Sequence, residues 1–229
     1  MSAHFREISG NMVYVCTDNI DLEESLAARM SSVMPPERIA RANRYRRKKD
    51  RDLCILSYQI LRYAIGQTYA PAHMPEIKRT PKGKPYFADA CCEFNLSHCD
   101  SGIAVAVSGE KIGVDLQEPV SFIGDVKSHF LSPAEMQHLH ETPHTSADLL
   151  KLWTLKEAYG KCRGDGLIYP FRETNLLPFL QSDSIRMYDD LYGRSLEYGG
   201  CALSIFAERQ EDMEIRDVGL RDLITFLQL

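Results

Sequence analysis

Trp153-Thr-Leu-Lys156-Glu157-Ala-Tyr-Gly-Lys161, running on into Cys162-Arg163-Gly164-Asp165-Gly166, is the stretch around which the chain is organised. At about 3.6 residues per turn, Trp153, Glu157 and Lys161 fall at i, i+4 and i+8, so one helix face carries an aromatic ring, a carboxylate and an ammonium. Such a face is poorly suited to core packing. A glutamate four residues before a lysine is also an ordinary helix-stabilising pair worth ~0.2–0.5 kcal/mol, and both readings stand on this segment alone. Leu149, Leu150 and Leu152 lead into the helix, and Gly164 and Gly166 stop it.

Upstream, Gly102-Ile-Ala-Val-Ala-Val-Ser108 and Lys111-Ile-Gly-Val-Asp115-Leu-Gln117 read as two strands of a hairpin joined at Gly109-Glu110. In the second strand Ile112, Val114 and Leu116 point one way while Gly113, Asp115 and Gln117 point the other. The first strand is apolar on both faces and should be buried. An antiparallel pair places the start of one strand beside the end of the other, so Ser97-His98 should lie near Asp115 and Gln117.

The remaining segments alternate in the same manner. Asn11–Cys16 is an opening strand, followed by a helix with Asp21 as N-cap and Leu22, Leu26 and Met30 on its apolar face. Pro35-Pro36 blocks that helix and begins the next. From Glu37 to about Tyr69 the pattern is helical, broken near Asp50, with Leu53, Leu56, Ile60, Leu61, Ala64 and Ile65 as an apolar stripe. Lys78–Phe87 is a cationic loop punctuated by Pro81, Gly83 and Pro85. Ser132-Pro133-Ala-Glu135 is a helix start in which Glu135 closes a capping box. Strands return at Ser184–Tyr188 and Cys201–Phe206, and Leu220, Leu223, Ile224 and Leu227 mark a closing helix. Each half places helices before strands, which predicts an α+β fold.

At 229 residues the chain is long enough for a sizeable core, and its 44% hydrophobic and 26% charged residues are ordinary for a globular protein. A net charge of −5 argues against a surface devoted to nucleic acid. It permits a local patch, and Arg38, Arg41, Arg44, Arg46, Arg47, Lys48, Lys49 and Arg51 are opposed within their run only by Asp50. That run reads as a solvated helix face or as a phosphate site. Seven scattered cysteines fit reduced thiols better than a disulfide framework. Cys91, Cys92, His98 and Cys99 lack the paired spacing of a structural zinc site. Neither a signal peptide nor a membrane span is legible, so the expectation is a cytoplasmic protein with no membrane and no nucleic-acid partner.

Gly83-Lys84-Pro85, Phe94-Asn-Leu-Ser97-His98, Gly113-Val-Asp115-Leu-Gln117, Phe130–Glu135 and Trp153–Lys161, in this order, resemble the surfactin-type 4'-phosphopantetheinyl transferases. The resemblance implies a monomeric pseudo-dimer of two similar α+β halves, here 1–108 and 109–229, each with helices on a small antiparallel sheet. It implies Mg²⁺-dependent transfer of the phosphopantetheine arm from coenzyme A to a serine of an apo acyl, peptidyl or aryl carrier protein, with release of adenosine 3',5'-bisphosphate. By position, the catalytic set is Asp115, Glu157, Lys161 and His98, and the Mg²⁺ ligands are Asp115, Glu157 and Gln117. Coenzyme A would be held by Arg38, Arg41, Lys84, Pro85, Ser97, His98, Lys156 and Lys161.

Two departures stand out. Gln117 occupies a position that is usually acidic, and Leu53 one that is usually basic, leaving Arg51 or Arg47 as its candidate replacement. The residues are also compatible with a metal-dependent phosphodiesterase, or with a non-enzymatic nucleic-acid or carrier-protein binding module built on residues 38–51.

Overall fold

A computed structural model describes residues 10–17, 20–69, 74–89, 92–121, 123–164 and 170–228. Two four-stranded sheets lie face to face, each covered on its outer side by one long helix. The first sheet has the order β10-β1-β5-β4, built from β1 (Asn11–Cys16), β4 (Glu93–Cys99), β5 (Gly102–Ser108) and β10 (Met213–Asp217). The second has the order β6-β9-β8-β7, built from β6 (Ile112–Gln117), β7 (Arg186–Tyr188), β8 (Leu191–Tyr198) and β9 (Cys201–Ala207). A small hairpin of β2 (Ile77–Arg79) and β3 (Pro85–Phe87) forms its own two-stranded sheet and packs Phe87 onto Phe94 of β4.

The period-two alternation of strand side chains divides the core into layers. Val13, Val15, Ala104 and Ala106 meet Ile112, Val114, Leu116, Leu203 and Ile205 between the sheets. Tyr14, Val105 and Val107 face the other way, onto Leu53, Leu56, Ile60 and Ala64 of α3 (Lys48–Tyr69). On the far side Leu152, Leu155, Ala158 and Tyr159 of α6 (Ser146–Arg163) pack with Phe206 and Leu191. α1 (Glu24–Ser32) and α2 (Pro36–Ala42) complete the first module; α4 (Ile123–Phe130) and α5 (Pro133–Glu141) complete the second.

The two modules repeat one plan. An opening strand, three helices and a hairpin follow in order, and the opening strand pairs antiparallel with the hairpin's second strand: β1 with β5, and β6 with β9. The fold is α+β with two sheet-and-helix modules, as the resemblance implies for a pseudo-dimer. The C-terminal segment then returns to the first module, where β10 pairs parallel with β1 and α7 (Leu220–Leu227) packs its Leu223 into the α3 layer.

Local chemistry explains the helix limits. Pro35 caps α2 with Pro36 as its first residue, and Ser132 with Glu135 forms the expected capping box on α5. Thr145 and Asp148 form a second box at the start of α6, which ends at Gly164 with φ 86°.

Several expectations are corrected. β5 and β6 are not a hairpin: β5 pairs with β4 and β1, while β6 joins the other sheet, so Gly109-Glu110 is a crossover between sheets. β5 is apolar on both faces because it faces α3 on one side and the second sheet on the other. Asp21 does not cap α1, whose N-cap is Glu23; its carboxylate pairs with Lys48 instead. The helix break falls at residues 43–47 rather than near Asp50, which lies inside α3. The 78–87 segment is the β2–β3 hairpin, turned by Gly83 at φ 87° with its N–H donated to Thr80 O at 2.8 Å. β8 and β10 were not anticipated, since neither shows a clean apolar alternation.

Candidate active site

Gly113, Asp115 and Gln117 occupy the β6 face that turns toward α6. At Gly113 a Cβ would lie 2.1 Å from Ala158 O and 2.5 Å from Cys162 N, so only glycine lets α6 lie this close to the strand. That approach puts Glu157 and Lys161 over Asp115. The Lys161 ammonium donates to Asp115 Oδ1 at 2.6 Å, to Val114 O at 3.2 Å and to Ser97 Oγ at 3.2 Å. Ser97 Oγ in turn donates to Asp115 Oδ1 at 2.7 Å, and Asn95 Oδ1 accepts the Val114 N–H at 3.1 Å. Both bonds link β4 with β6, one module with the other.

Glu157 is the unsettled member of this group. It is only 6% exposed, as is Asp115, and its Oε1 is buried without a hydrogen-bond partner among the described residues. Burial pushes its pKa up to about 7, the negative charge of Asp115 adds to the rise, and Lys161 opposes it. Two buried carboxylates, one with an orphaned oxygen, form a hard-oxygen donor set of the kind that suits a divalent cation. Gln117, on the same strand face, supplies an amide; its Nε2 donates to Glu118 O at 3.4 Å. Among the described residues no group of three or more His, Cys, Asp or Glu gathers as a ligand set.

A cationic groove leads away from this cluster. A cavity of about 220 Å³ is lined by Lys82, Gly83, Lys84, Pro85, Asn95, Leu96, Lys161 and Gly164. Pro85 and Leu96 also border a second cavity of about 190 Å³, where His98, Tyr45, Arg38, Arg41 and Arg79 converge. Arg38, Arg41 and Arg79 then border a third, of about 720 Å³, which also contains Arg62 and the side chains of Met34 and Tyr58. Glu37 and Glu76 are the acidic residues of its wall. Arg38 lies over the Tyr58 ring at 5.2 Å and donates to Cys54 O at 3.3 Å, while its Nε is buried without a partner among the described residues. An unsatisfied guanidinium donor in a positively charged groove suits a phosphate.

The placement of the expected residues is therefore uneven. Asp115, Glu157, Lys161 and Ser97 meet in one cluster, and Arg38, Arg41, His98, Lys84 and Pro85 line the groove. Ser97 and His98, being neighbours on a strand, face opposite sides of β4: Ser97 turns to Asp115 and His98 to the groove. Desolvation there, with Lys161 and Arg41 adding positive charge, holds the His98 pKa below the usual imidazole value.

Lys156 is the exception. It and Glu135 are both 0% exposed and pair at 2.8 Å; the ammonium also donates to Phe171 O at 2.7 Å and Thr174 O at 2.5 Å. A one-residue step rotates a helical side chain by about 100°, which carries Lys156 away from Glu157 and the groove. Glu135 thereby does more than cap α5, since its Oε1 also accepts the Leu176 N–H at 2.8 Å. Trp153 likewise leaves the site. Each four-residue step drifts by about 40°, and its ring packs on Phe130 and Phe171 at 5.1 and 6.3 Å.

Leu53 is buried in the core, and neither basic neighbour replaces a charge there. Arg51 is held by Glu24 at 2.7 Å and Asp52 at 3.0 Å, and Arg47 faces Asp50 and Asp100. Arg79 and Arg62 were not anticipated as groove residues. Arg79 stood in the cationic 78–87 segment, but Arg62 carried no signal beyond its charge. Asn95 was quoted only as part of a motif. Cys91 lies outside the described residues. Among the described residues no helix is long and apolar enough to cross a membrane.

Comparison with known families bears directly on this geometry. Residues 22–110 match the model described as 4'-phosphopantetheinyl transferase, N-terminal, and residues 111–204 match the 4'-phosphopantetheinyl transferase superfamily. The two matches meet at the crossover between the sheets. A 4'-phosphopantetheinyl transferase of Bacillus subtilis is 29% identical over 167 residues, covering 71% of this chain and 70% of the relative. The 4'-phosphopantetheinyl transferase HetI of Nostoc sp. is 30% identical over 159 residues, covering 65% of this chain and 67% of the relative. The 4'-phosphopantetheinyl transferase Sfp of Bacillus subtilis is 25% identical over 167 residues, covering 71% and 70%. With both modules matched in order and the carboxylate cluster lying where they join, this chain belongs to the 4'-phosphopantetheinyl transferase superfamily.

Proposed function

We propose that this protein transfers 4'-phosphopantetheine from coenzyme A to a serine of an apo acyl, peptidyl or aryl carrier protein, releasing adenosine 3',5'-bisphosphate, and that it belongs to the surfactin-type branch. The observation that carries the reading is the buried pair Asp115 and Glu157, with an orphaned Glu157 oxygen, at the head of a cationic groove.

In this reading Asp115 and Glu157, with Gln117 beside them, hold Mg²⁺. When bound, the ion neutralises charge on the diphosphate and on the leaving bisphosphate. Glu157, directly or through a water, takes the proton of the attacking serine. The serine oxygen forms a bond to the β-phosphorus as the bond to the bisphosphate oxygen breaks. Lys161, held by Asp115 and Ser97, places its charge at the groove mouth toward the diphosphate. Arg38 and Arg41 take the 3'-phosphate, while His98, Lys84 and Pro85 border the nucleotide. Ser97 acts chiefly through Asp115, and Lys156 through the packing of α6. Residues 1–108 and 109–229 are proposed as the two halves of a cytoplasmic monomer, with β10 and α7 of the second half docked on the first.

Intact-mass spectrometry of apo carrier proteins incubated with this protein, coenzyme A and Mg²⁺ tests the proposal. A gain of one phosphopantetheine that EDTA abolishes is expected. Cleavage of coenzyme A without carrier modification would replace the transferase reading by a phosphodiesterase.

A further inference from the structure

Cys99 and Cys201 bring two thiols together where the modules meet. Cys99 ends β4 in the first sheet and Cys201 begins β9 in the second, 102 positions apart in sequence, yet their sulfurs lie 4.0 Å apart in the inter-sheet core. Neither takes part in the proposed transfer. Each sits at a hairpin end: Cys99 pairs with Gly102 across one turn, and Cys201 pairs with Tyr198 across Gly199 and Gly200, whose φ values are 57° and 78°. A disulfide needs its sulfurs about 2.05 Å apart. Closure requires the sulfurs to approach by about 2 Å more.

The surroundings suit oxidation. Cys99 is 7% exposed and Cys201 1%. Cys201 also borders a cavity of about 380 Å³ with Pro119, Leu150, Leu196 and Ala202, large enough for a small oxidant beside the pair. A thiolate on Cys99 accepts the S–H of Cys201 and the backbone N–H groups of Ser101 and Glu118, and its pKa is drawn down to about 7. The same contact, with burial, pushes the Cys201 thiol up. By contrast, burial pushes Cys162 up to about 12, which keeps it protonated and unreactive.

We propose that Cys99 and Cys201 form a peroxide-reactive pair that closes reversibly to a disulfide linking the two modules. The Cys99 thiolate attacks one oxygen of hydrogen peroxide, the O–O bond breaks, and hydroxide leaves a sulfenic acid on Cys99. The Cys201 sulfur then attacks the Cys99 sulfur, losing its proton; the S–S bond forms, the S–O bond breaks and water departs. In sum, two thiols and one peroxide give one disulfide and two waters. The bond would brace β4, which carries Ser97 and His98, against β9, which pairs with the strand of Asp115.

The test treats the folded full chain with hydrogen peroxide, alkylates it under denaturing conditions and maps the cysteines by peptide mass spectrometry. A Cys99–Cys201 linked peptide should dominate over any other pair, and dithiothreitol should return both residues to the alkylated form. In Cys201→Ser, Cys99 should stop at the sulfenic acid and be captured by dimedone. Full alkylation of both cysteines after peroxide, or a linkage of either one to a different cysteine in comparable yield, would overturn the proposal. The wild-type map decides even if the variant fails to fold.

Discussion

Lys161 Nζ and Asp115 Oδ1 stand 2.6 Å apart although one residue lies on α6 and the other on β6. Ser97, from the opposite module, donates to the same Asp115 oxygen at 2.7 Å. Asp115 is therefore matched by positive charge and by a hydroxyl, whereas Glu157 beside it has neither on its Oε1 among the described residues. The cluster is balanced for one carboxylate and left open at the other.

Glu157→Gln should abolish transfer yet stabilise the metal-free fold. The native carboxyl titrates near 7 against an ordinary 4.5, so between these values the folded state binds the proton that the unfolded state has lost. Stability contributed by the protonated form is present below about pH 4.5 and is lost as pH rises through 7. In EDTA at pH 8 the variant should exceed wild type by up to about 3 kcal/mol, and at pH 4 the two should coincide. Urea unfolding at both pH values measures this; a wild type as stable as the variant at pH 8 would contradict the burial of a strained charge.

Lys161→Met should lower kcat by roughly 10²–10³, the loss common for a single charge-stabilising donor. It leaves Asp115 buried with only the Ser97 hydroxyl, so affinity for coenzyme A should change less than turnover. Steady-state kinetics separate the two, and a loss confined to KM would assign Lys161 to binding alone.

Gln117→Glu should reduce the Mg²⁺ concentration for half-maximal activity, because a third carboxylate joins Asp115 on the β6 face toward α6, opposite Glu157 on α6. Titration with Mg²⁺ at saturating coenzyme A reads the shift. An unchanged requirement would place Gln117 outside the metal shell.

Arg41→Ala should raise KM for coenzyme A about tenfold, the scale of one charge-assisted phosphate contact. Arg41 is exposed at the groove wall, so the fold should be little affected. Dephospho-coenzyme A, which lacks the 3'-phosphate, should be used equally well by the variant and wild type. If the variant discriminates between the two nucleotides as wild type does, the 3'-phosphate lies elsewhere.

Lys156→Met should destabilise the protein by about 3–5 kcal/mol, since it strands a buried Glu135 carboxylate. Combined Lys156→Met and Glu135→Gln should recover much of that loss. Thermal melting of the single and double variants checks it, and a single variant as stable as wild type would remove the strut between α5 and α6.

The sequence by itself determined the features that depend on near neighbours. The capping box of Ser132 and Glu135, the proline start of α2 and the stop at Gly164 each involve groups within one or two turns. The alternation of Gly113, Asp115 and Gln117 against Ile112, Val114 and Leu116 was legible for the same reason, because the pleat fixes which side chains share a face. Helices preceding strands in each half pointed to the α+β class, and the family resemblance added the likeness between the halves.

Only the tertiary structure decided which strands pair, and that altered the meaning of several residues. A strand that is apolar on both faces shows that it is buried but not what covers it, so β5 and β6 looked like a hairpin when each joins a different sheet. Ser97 reaches Asp115 all the same, across the sheet interface rather than around a turn. Lys156 and Glu135 show the converse: as sequence they are a lysine beside the key glutamate and a helix cap, and packing makes them a buried ion pair. Burial and long-range contact, which no local pattern encodes, leave the orphaned oxygen on Glu157 and bring Cys99 within 4.0 Å of Cys201.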